Sequence, residues 1–390
     1  MKKLFILFAA VIALGFGCQR PEAAAVAVSQ PAKKIAQLVG DIDKETGQPT
    51  ANQTESRYKL IGTDLGASFE HKGKTYFLFG DTFGGDGPQD GRDTIAYSTD
   101  TKPTDGLDLT FLTDDKGQWR VLDIPGVDQT GFAVPTAGVS INNAMYVYHT
   151  TDASSAFMGR SVLAKSTDDG QTFSKLYDLS TQHFINVSVN KVNSKDWPGL
   201  PDTSGEGIIM FGSGQYRKSN VRLAYQPTSG IEDTTTLRYF RGLDDKENPT
   251  WTADEQSAEP LFFQSCVGEF SVTYNPFIKK WIMLYNCLAP WRGINLRTAD
   301  QPWGPWAEPQ ILYHPERDGG YCYYIHQSWE VKKCDNVQDK NRDNAWGGEY
   351  GPYQIANLAT GDKNETTIYF TMSTWNPYTV VLMEAKLKKE

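Results

Sequence analysis

Five times along this chain a three-strand unit of short, alternating apolar and polar runs recurs. The first strands of the units fall near 64–69, 135–141, 184–192, 269–274 and 353–358. Their second strands are 75–79, 145–149, 207–211, 281–285 and 367–371, and the third strands begin near 93, 161, 220, 293 and 379. Each first strand reaches its second through a turn rich in Lys, Asn or Gly, as in His71-Lys72-Gly73-Lys74, so the pair folds as a hairpin. Recurrence roughly every 60 to 90 residues, with no helical period, belongs to radially repeated sheets. The fold class expected is therefore all-β, a five-bladed β-propeller.

The remaining signals agree with that reading. A chain of 390 residues with 12% aromatics, 35 Gly and 20 Pro suits a large, turn-rich β domain. Ser166-Thr-Asp-Asp-Gly-Gln-Thr-Phe173 fits the Asp-box pattern S-x-D-x-G-x-T-F, a structural turn between outer strands of propeller blades. A net charge of −9 supplies no basic field for a polyanion, so nucleic acid is not an expected partner.

The N-terminus sets the compartment. Met1-Lys2-Lys3 is cationic and residues 4–17 form an apolar run too short to span a bilayer. That run ends at Leu14-Gly-Phe-Gly-Cys18, which resembles a bacterial lipobox with a departure at Phe16. Residues 1–18 are thus expected to be a lipoprotein-type signal with Cys18 lipidated. Residues 19–56 would be a flexible tether and 57–390 the propeller. The protein would be exported and held at the outer membrane or cell surface by its lipid, or be secreted or periplasmic if the lipobox is not used. A monomer is expected. Four cysteines remain, and an even count in an exported chain points to two disulfides. Cys266 and Cys287 flank one predicted hairpin, and Cys322 and Cys334 would close a small loop.

A propeller brings the starts of all first strands and the ends of all second strands to one axial face. On this chain that rule collects Asp64, Asp81, His149, Asn186, Gln215, Arg217, Glu269, Asn286, Arg292, Glu349, Tyr353, Trp375 and Asn376. Carboxylates and amides bond hydroxyls and rings stack on sugar faces, so a neutral polyhydroxylated ligand fits this set. Glycoside hydrolysis needs one carboxylic acid to protonate the leaving oxygen and one carboxylate to activate water or attack carbon. Glu269 opens an apolar strand, where desolvation favours a neutral carboxyl, which casts it as the general acid. Asp64, beside Gly62 and Gly66, is the expected base, with Asp81 tuning its ionisation or binding a sugar hydroxyl. Two carboxyls on blades facing across a channel leave room for a water, which favours inversion. His149 buried in a blade interior, Trp375 packed between blades, and Arg217 and Arg292 as plain surface residues are the competing structural readings. No metal is expected, since no C-x-x-C occurs and the five histidines lack ligand spacing. A channel Ca²⁺ finds no loop with suitable oxygen-ligand spacing, and no cofactor is expected.

Four runs carry a family likeness: Gly62-Thr-Asp-Leu-Gly, Phe79-Gly-Asp-Thr-Phe-Gly, Gly268-Glu-Phe-Ser-Val-Thr-Tyr-Asn-Pro and Ser373-Thr-Trp-Asn-Pro-Tyr. Together they resemble the DUF4185 family, across roughly residues 57 to 388. Members of that family have been assigned as endo-acting D-arabinanases of glycoside hydrolase family 183, with a five-bladed propeller. The resemblance implies glycoside hydrolysis, with a furanose polysaccharide such as D-arabinan as substrate, and matches Asp64, Asp81 and Glu269 to the family's acidic positions. A non-catalytic glycan-binding propeller would use the same aromatics and amides without two opposed acids. A sialidase would need three clustered arginines, and a purely structural propeller would need none of this.

Overall fold

The computed structural model describes residues 25–86, 91–153, 158–287, 292–328, 334–339 and 345–390. The expected signal peptide and Cys18 lie outside them. The second strands are buried on both faces, so their side chains alternate between two cores rather than between core and solvent. Tyr76 and Leu78 pack toward one neighbouring blade while Phe77 and Phe79 pack toward the other. Trp281, Met283 and Tyr285 likewise divide from Ile282 and Leu284. Five apolar clusters result, one in each seam between adjacent blades. Strands that feed two cores read as near-continuous hydrophobic runs.

An N-terminal strand, β1 (Val26–Gln37), precedes the first blade. Blade one is β2 (Gly62–His71), β3 (Lys74–Phe83), β4 (Arg92–Ser98) and β5 (Thr110–Phe111). Blade two is β6 (Pro135–Ile141), β7 (Ala144–Thr151), β8 (Arg160–Ser166) and β9 (Ser174–Ser180). Blade three is β10 (Asn186–Asn193), β11 (Glu206–Ser213), β12 (Arg222–Pro227), β13 (Arg238–Leu243) and β14 (Pro249–Thr252). Blade four is β15 (Phe270–Asn275), β16 (Lys280–Asn286), β17 (Ile294–Ala299) and β18 (Gln310–Tyr313). Blade five holds β19 (Glu349–Gln354), β20 (Thr360–Gly361), β21 (Glu365–Trp375) and β22 (Tyr378–Lys389). In blades one to four successive strands pair antiparallel, and in blade five the antiparallel order is β19-β21-β22-β1 with β20 beside β21. The innermost strands β2, β6, β10, β15 and β19 touch in that cyclic order, and β19 returns to β2. The molecule is a five-bladed β-propeller.

Two hairpin turns show why the polar pairs stand where they do. Lys72 and Gly73 take φ of 48° and 76°, and Asn142 and Asn143 take 50° and 63°. Two successive positive φ values match the twist of the flanking strands. The Asp-box is the turn from β8 to β9: Asp168 accepts from the Thr172 amide at 2.9 Å, and Ser166 Oγ accepts from the Gly170 amide at 3.0 Å.

Two expectations are corrected. Residues 26–37 are not tether: β1 is the outermost strand of blade five, running antiparallel to β22 from Val26↔Lys389 to Gln37↔Val381. Val26 and Ala32 are buried in the seam between blades four and five. An outer strand buries only part of one face, so the polar composition that reads as linker is compatible with pairing. The innermost strand of blade five is also displaced: it is Glu349–Gln354, and residues 356–358 form a single 3₁₀ turn. Gly351, at φ 61°, and Pro352 sit in a bulge between Tyr350 and Tyr353, and both residues disguise a strand.

Candidate functional site

Asp64 is the third residue of β2 and pairs with Gly80 of β3. A Cβ on Gly80 would lie 2.6 Å from Asp64 Oδ1 and 2.8 Å from Val134 Cγ1, so only glycine leaves room for the carboxyl. The next residues, Leu65 and Gly66, take φ of 65° and 103° in a bulge. Ser373 Oγ accepts the Leu65 amide at 2.7 Å and holds this left-handed backbone in place. A non-glycine residue kept there is strain of the kind that collects at functional sites.

Asp64 is buried, and Tyr350 donates its hydroxyl to Asp64 Oδ2 at 2.7 Å. Burial pushes the Asp64 carboxyl well above the usual carboxylate range. The Asp81 charge adds to this, the Tyr350 bond opposes it, and the Glu269 charge adds further. Asp81, near the end of β3, is raised to about 7 by burial and then by the charge of Asp93. Among the described residues, Oδ1 of Asp64 and Oδ1 of Asp81 are both buried without a hydrogen-bond partner. Two such oxygens at one cavity are acceptors waiting for a proton or a ligand hydroxyl.

Glu269 arrives from blade four, just before β15. Its surroundings are not apolar, contrary to what its strand implies. Tyr216 donates to Oε1 at 2.5 Å, and Arg217 Nη2 lies 3.4 Å from Oε2. The guanidinium also sits 4.6 Å above the Tyr216 ring. A Cβ at Gly268 would lie 2.7 Å from Asn286 Nδ2 and 3.0 Å from Arg217 Cγ, so this glycine admits the arginine. Its setting is therefore not the apolar one its strand implies, and the carboxyls of these walls with raised proton affinity are Asp64 and Asp81 of blade one and Glu349 of blade five.

These groups line a cavity of about 260 Å³ to which all five blades contribute. Val134 and Met158 come from blade two with the half-exposed Phe132, and Trp375 and Tyr378 come from blade five. Tyr378 donates its hydroxyl to the Asp81 carbonyl at 2.8 Å. A second cavity of about 680 Å³ adjoins it and shares Arg217 and Trp375. Its walls include Asn286, Arg292, Glu349, Tyr321 and Trp346. Burial raises Glu349 to about 7, opposed by backbone amides and by Arg292 and Arg217. Trp375 Nε1 donates to the Trp346 carbonyl at 3.1 Å, so the two exposed indole rings are tied into one wall.

Asp64, Asp81, Glu269, Arg217 and Trp375 therefore meet in the first cavity, and Asn286, Arg292 and Glu349 in the second. Five other residues expected at the mouth line neither. His149 is fully buried with its Nε2 2.6 Å from Asp93 Oδ2. β7 runs on to Thr151, so His149 lies two residues inside the strand rather than at its end. Asn186 turns its amide to Met158 Sδ at 3.3 Å, and Tyr353 is buried in the blade one–two core. Gln215 is exposed in a turn closed by the Lys218 amide on its carbonyl at 3.0 Å. Asn376 bonds the Ala345 carbonyl through Nδ2 at 3.2 Å. Besides Leu65, Tyr321 and Trp346, sequence reasoning missed Phe132, Val134 and Met158. Val134, immediately before a first strand, obeys the strand-start rule; Phe132 and Met158 lie in loops that carry no pattern. Cys266 faces Cys287 across a Cα–Cα distance of 5.1 Å and Cys322 faces Cys334 across 5.5 Å, each pair joined as a disulfide. Among the described residues no group of three or more His, Cys, Asp or Glu side chains is arranged to hold a metal ion.

The family model described as "Domain of unknown function (DUF4185)" matches residues 49–384. The chain belongs to the DUF4185 family. No curated protein matches it in sequence. Among solved structures, this DUF4185 chain is similar to a protein of Bacteroides ovatus provisionally classed as a hydrolase. The TM-score is 0.55 at 13% identity, covering 85% of this chain and 87% of that one. It is similar also to the arabinanase Arb43A of Bacillus subtilis, with a TM-score of 0.42 at 14% identity, covering 84% of this chain and 96% of that one. An exo-1,5-α-L-arabinanase from a bovine ruminal metagenomic library gives 0.40 at 9% identity, covering 84% and 92%. At these identities the first likeness speaks for the propeller fold, and the site must speak for its own chemistry.

Proposed function

We propose that this DUF4185 chain is a glycoside hydrolase acting on a furanose polysaccharide, with D-arabinan the first candidate. The observation that carries the reading is the meeting, in one cavity, of two carboxyl systems from different blades with opposite partners. Asp64 and Asp81 are buried together and both have raised proton affinity, Asp64 the more so, whereas Glu269 is paired with Arg217 and Tyr216. Carboxyls held in such unlike surroundings can divide the roles of acid and base. The blade-one pair supplies the proton to the leaving oxygen, Asp64 from the deeper position and Asp81 as the neighbour that keeps it protonated. Glu269 accepts the proton of an attacking water. Blades one and four are not adjacent around the ring, which leaves space for that water and supports inversion.

The second cavity receives the next sugar of the chain, with Trp346 and Trp375 as stacking surfaces and Glu349, Asn286 and Arg292 as hydroxyl partners. An exported lipoprotein, anchored through Cys18 and acting as a monomer on polysaccharide outside the cell, fits the N-terminal segment.

The test is incubation of the purified protein with arabinans and other furanose polymers, with products resolved by chromatography. Asp64→Asn and Glu269→Gln should each lower the rate by about 10²–10⁴-fold while substrate binding persists. A variant keeping a third of the activity rules its residue out. Binding without cleavage by the unaltered protein would make this a glycan-binding propeller instead.

A further inference from the structure

Behind Asp81, away from the cavity, the β3–β4 ladder is irregular. Phe79 pairs with Thr94 and Thr82 with Arg92, so Gly80 and Asp81 together oppose the single residue Asp93. Such a bulge turns one side chain out of the ladder, and here it sets two aspartates opposite one another, an arrangement that like charges oppose. Asp93 is fully buried in the seam with blade two, where bare charge is costly.

Its compensation comes from His149. The imidazole Nε2 lies 2.6 Å from Asp93 Oδ2, and both side chains are wholly buried. Nδ1 lies 2.5 Å from the Thr150 carbonyl. A carbonyl only accepts, so Nδ1 carries a proton and Nε2 faces the carboxylate. Gln129 braces the contact: its Oε1 takes the Ile124 amide at 2.7 Å, which orients its Nε2 toward the Leu122 carbonyl at 2.9 Å and His149 Nε2 at 3.1 Å.

We propose that Asp93 and His149 are a positioning pair for Asp81: the imidazole holds the charge of Asp93 in check and so sets the field in which the Asp81 carboxyl gives up its proton. This inference rests on the hydrolase reading above. The pair touches no substrate and lines neither cavity. Its effect passes through one neighbour, Asp81, which also faces Asp64 on β2 and the Tyr378 hydroxyl of blade five. Arg92, beside Asp93, is engaged by Asp123 at 3.0 Å.

The sign follows from charge. Asp93 opposes ionisation of Asp81, so Asp93→Asn should let Asp81 lose its proton at lower pH. Because Asp81 in its charged form is the neighbour that keeps Asp64 protonated, the acid limb of the kcat/KM profile, set by Asp81 ionisation, moves down by about half a pH unit or more. Asp93→Asn/His149→Gln, which keeps a neutral hydrogen-bonding pair, should move it the same way, and serves if the single variant does not fold. In parallel, Asp81→Asn should raise Tm more at pH 8 than at pH 5, and this difference should shrink when Asp93→Asn is already present. A limb that stays in place in both variants, or a stability cycle without coupling, overturns the proposal. If the unaltered chain cleaves no furanoside, the hydrolase reading fails, and the stability cycle alone decides whether Asp93 controls Asp81.

Discussion

Tyr350 of blade five donates its hydroxyl to Asp64 Oδ2 of blade one at 2.7 Å, across the seam where the ring closes. This bond is the larger of two hydroxyl contributions to a buried acid, the other coming from Tyr378, and it lowers that acid's proton affinity against the push of burial. Tyr350→Phe should therefore raise the Asp64 proton affinity still further and leave the carboxyl free to turn. The expected outcome is a kcat about 10-fold lower or worse, with the alkaline limb of the pH profile displaced upward. A limb displaced downward would show that the bond does not serve Asp64 in this sense.

Gly80→Ala tests the packing behind the same carboxyl. The added Cβ would fall 2.6 Å from Asp64 Oδ1, and the carboxyl, not the backbone ladder, is the part able to move. Activity should fall about 100-fold, since an angstrom of misplacement at a reacting group has that effect. The far-ultraviolet circular dichroism should stay that of the unaltered protein. Gly73→Ala is the control: it sits in a hairpin turn where a Cβ meets nothing within 4 Å. It should lower stability through its positive φ while sparing the rate.

Stability should also report the raised carboxyls. Asp81 and Glu349 are each held near 7 in the fold, above the ordinary carboxylate value. Between the unfolded and folded values the native state binds the extra proton, so stability is fully present at low pH and drains away as pH rises through about 7. Asp81→Asn and Glu349→Gln remove that dependence. Each should have a higher Tm relative to the unaltered protein at pH 8 than at pH 5, measured by calorimetry. Equal differences at the two pH values would mean the carboxyls are not held protonated.

The legibility of this chain followed strand environment. Middle strands such as Tyr76–Phe79 are buried on both faces, so their pattern was strong, and five of them counted five blades. Asp64 and Asp81 were found because hairpin geometry places them at one edge, and Glu269 because an acid opening an apolar strand is conspicuous. Partners were the harder part. Arg217 and Tyr216 lie in a turn after β11 whose backbone path is set by neighbours, so their bonds to Glu269 could not be read from spacing. His149 was misplaced by a strand end two residues too early, which in a period-2 structure still keeps the same face but moves the side chain from the mouth to the seam. Pro352 and Gly351 hid the innermost strand that carries Tyr350.

β1 likewise escapes notice, because its Ser, Gln, Pro and Lys content looks like linker. Its pairing with β22 covers an edge of blade five that would otherwise stand open, and such an edge invites association. Lys34 within it bonds Asp43 and Glu45, each at 2.8 Å, tying the strand to the segment that follows. A chain beginning at residue 38 should lose the burial of Val26 and Ala32 in the seam with blade four. We expect a Tm several degrees lower, corresponding to about 2 kcal/mol or more of lost apolar burial, and association at raised concentration in light scattering. Because blade five carries Tyr350, Trp375 and Tyr378, activity should fall along with stability. A truncated chain that stays monomeric with unchanged Tm would return this strand to the role of tether.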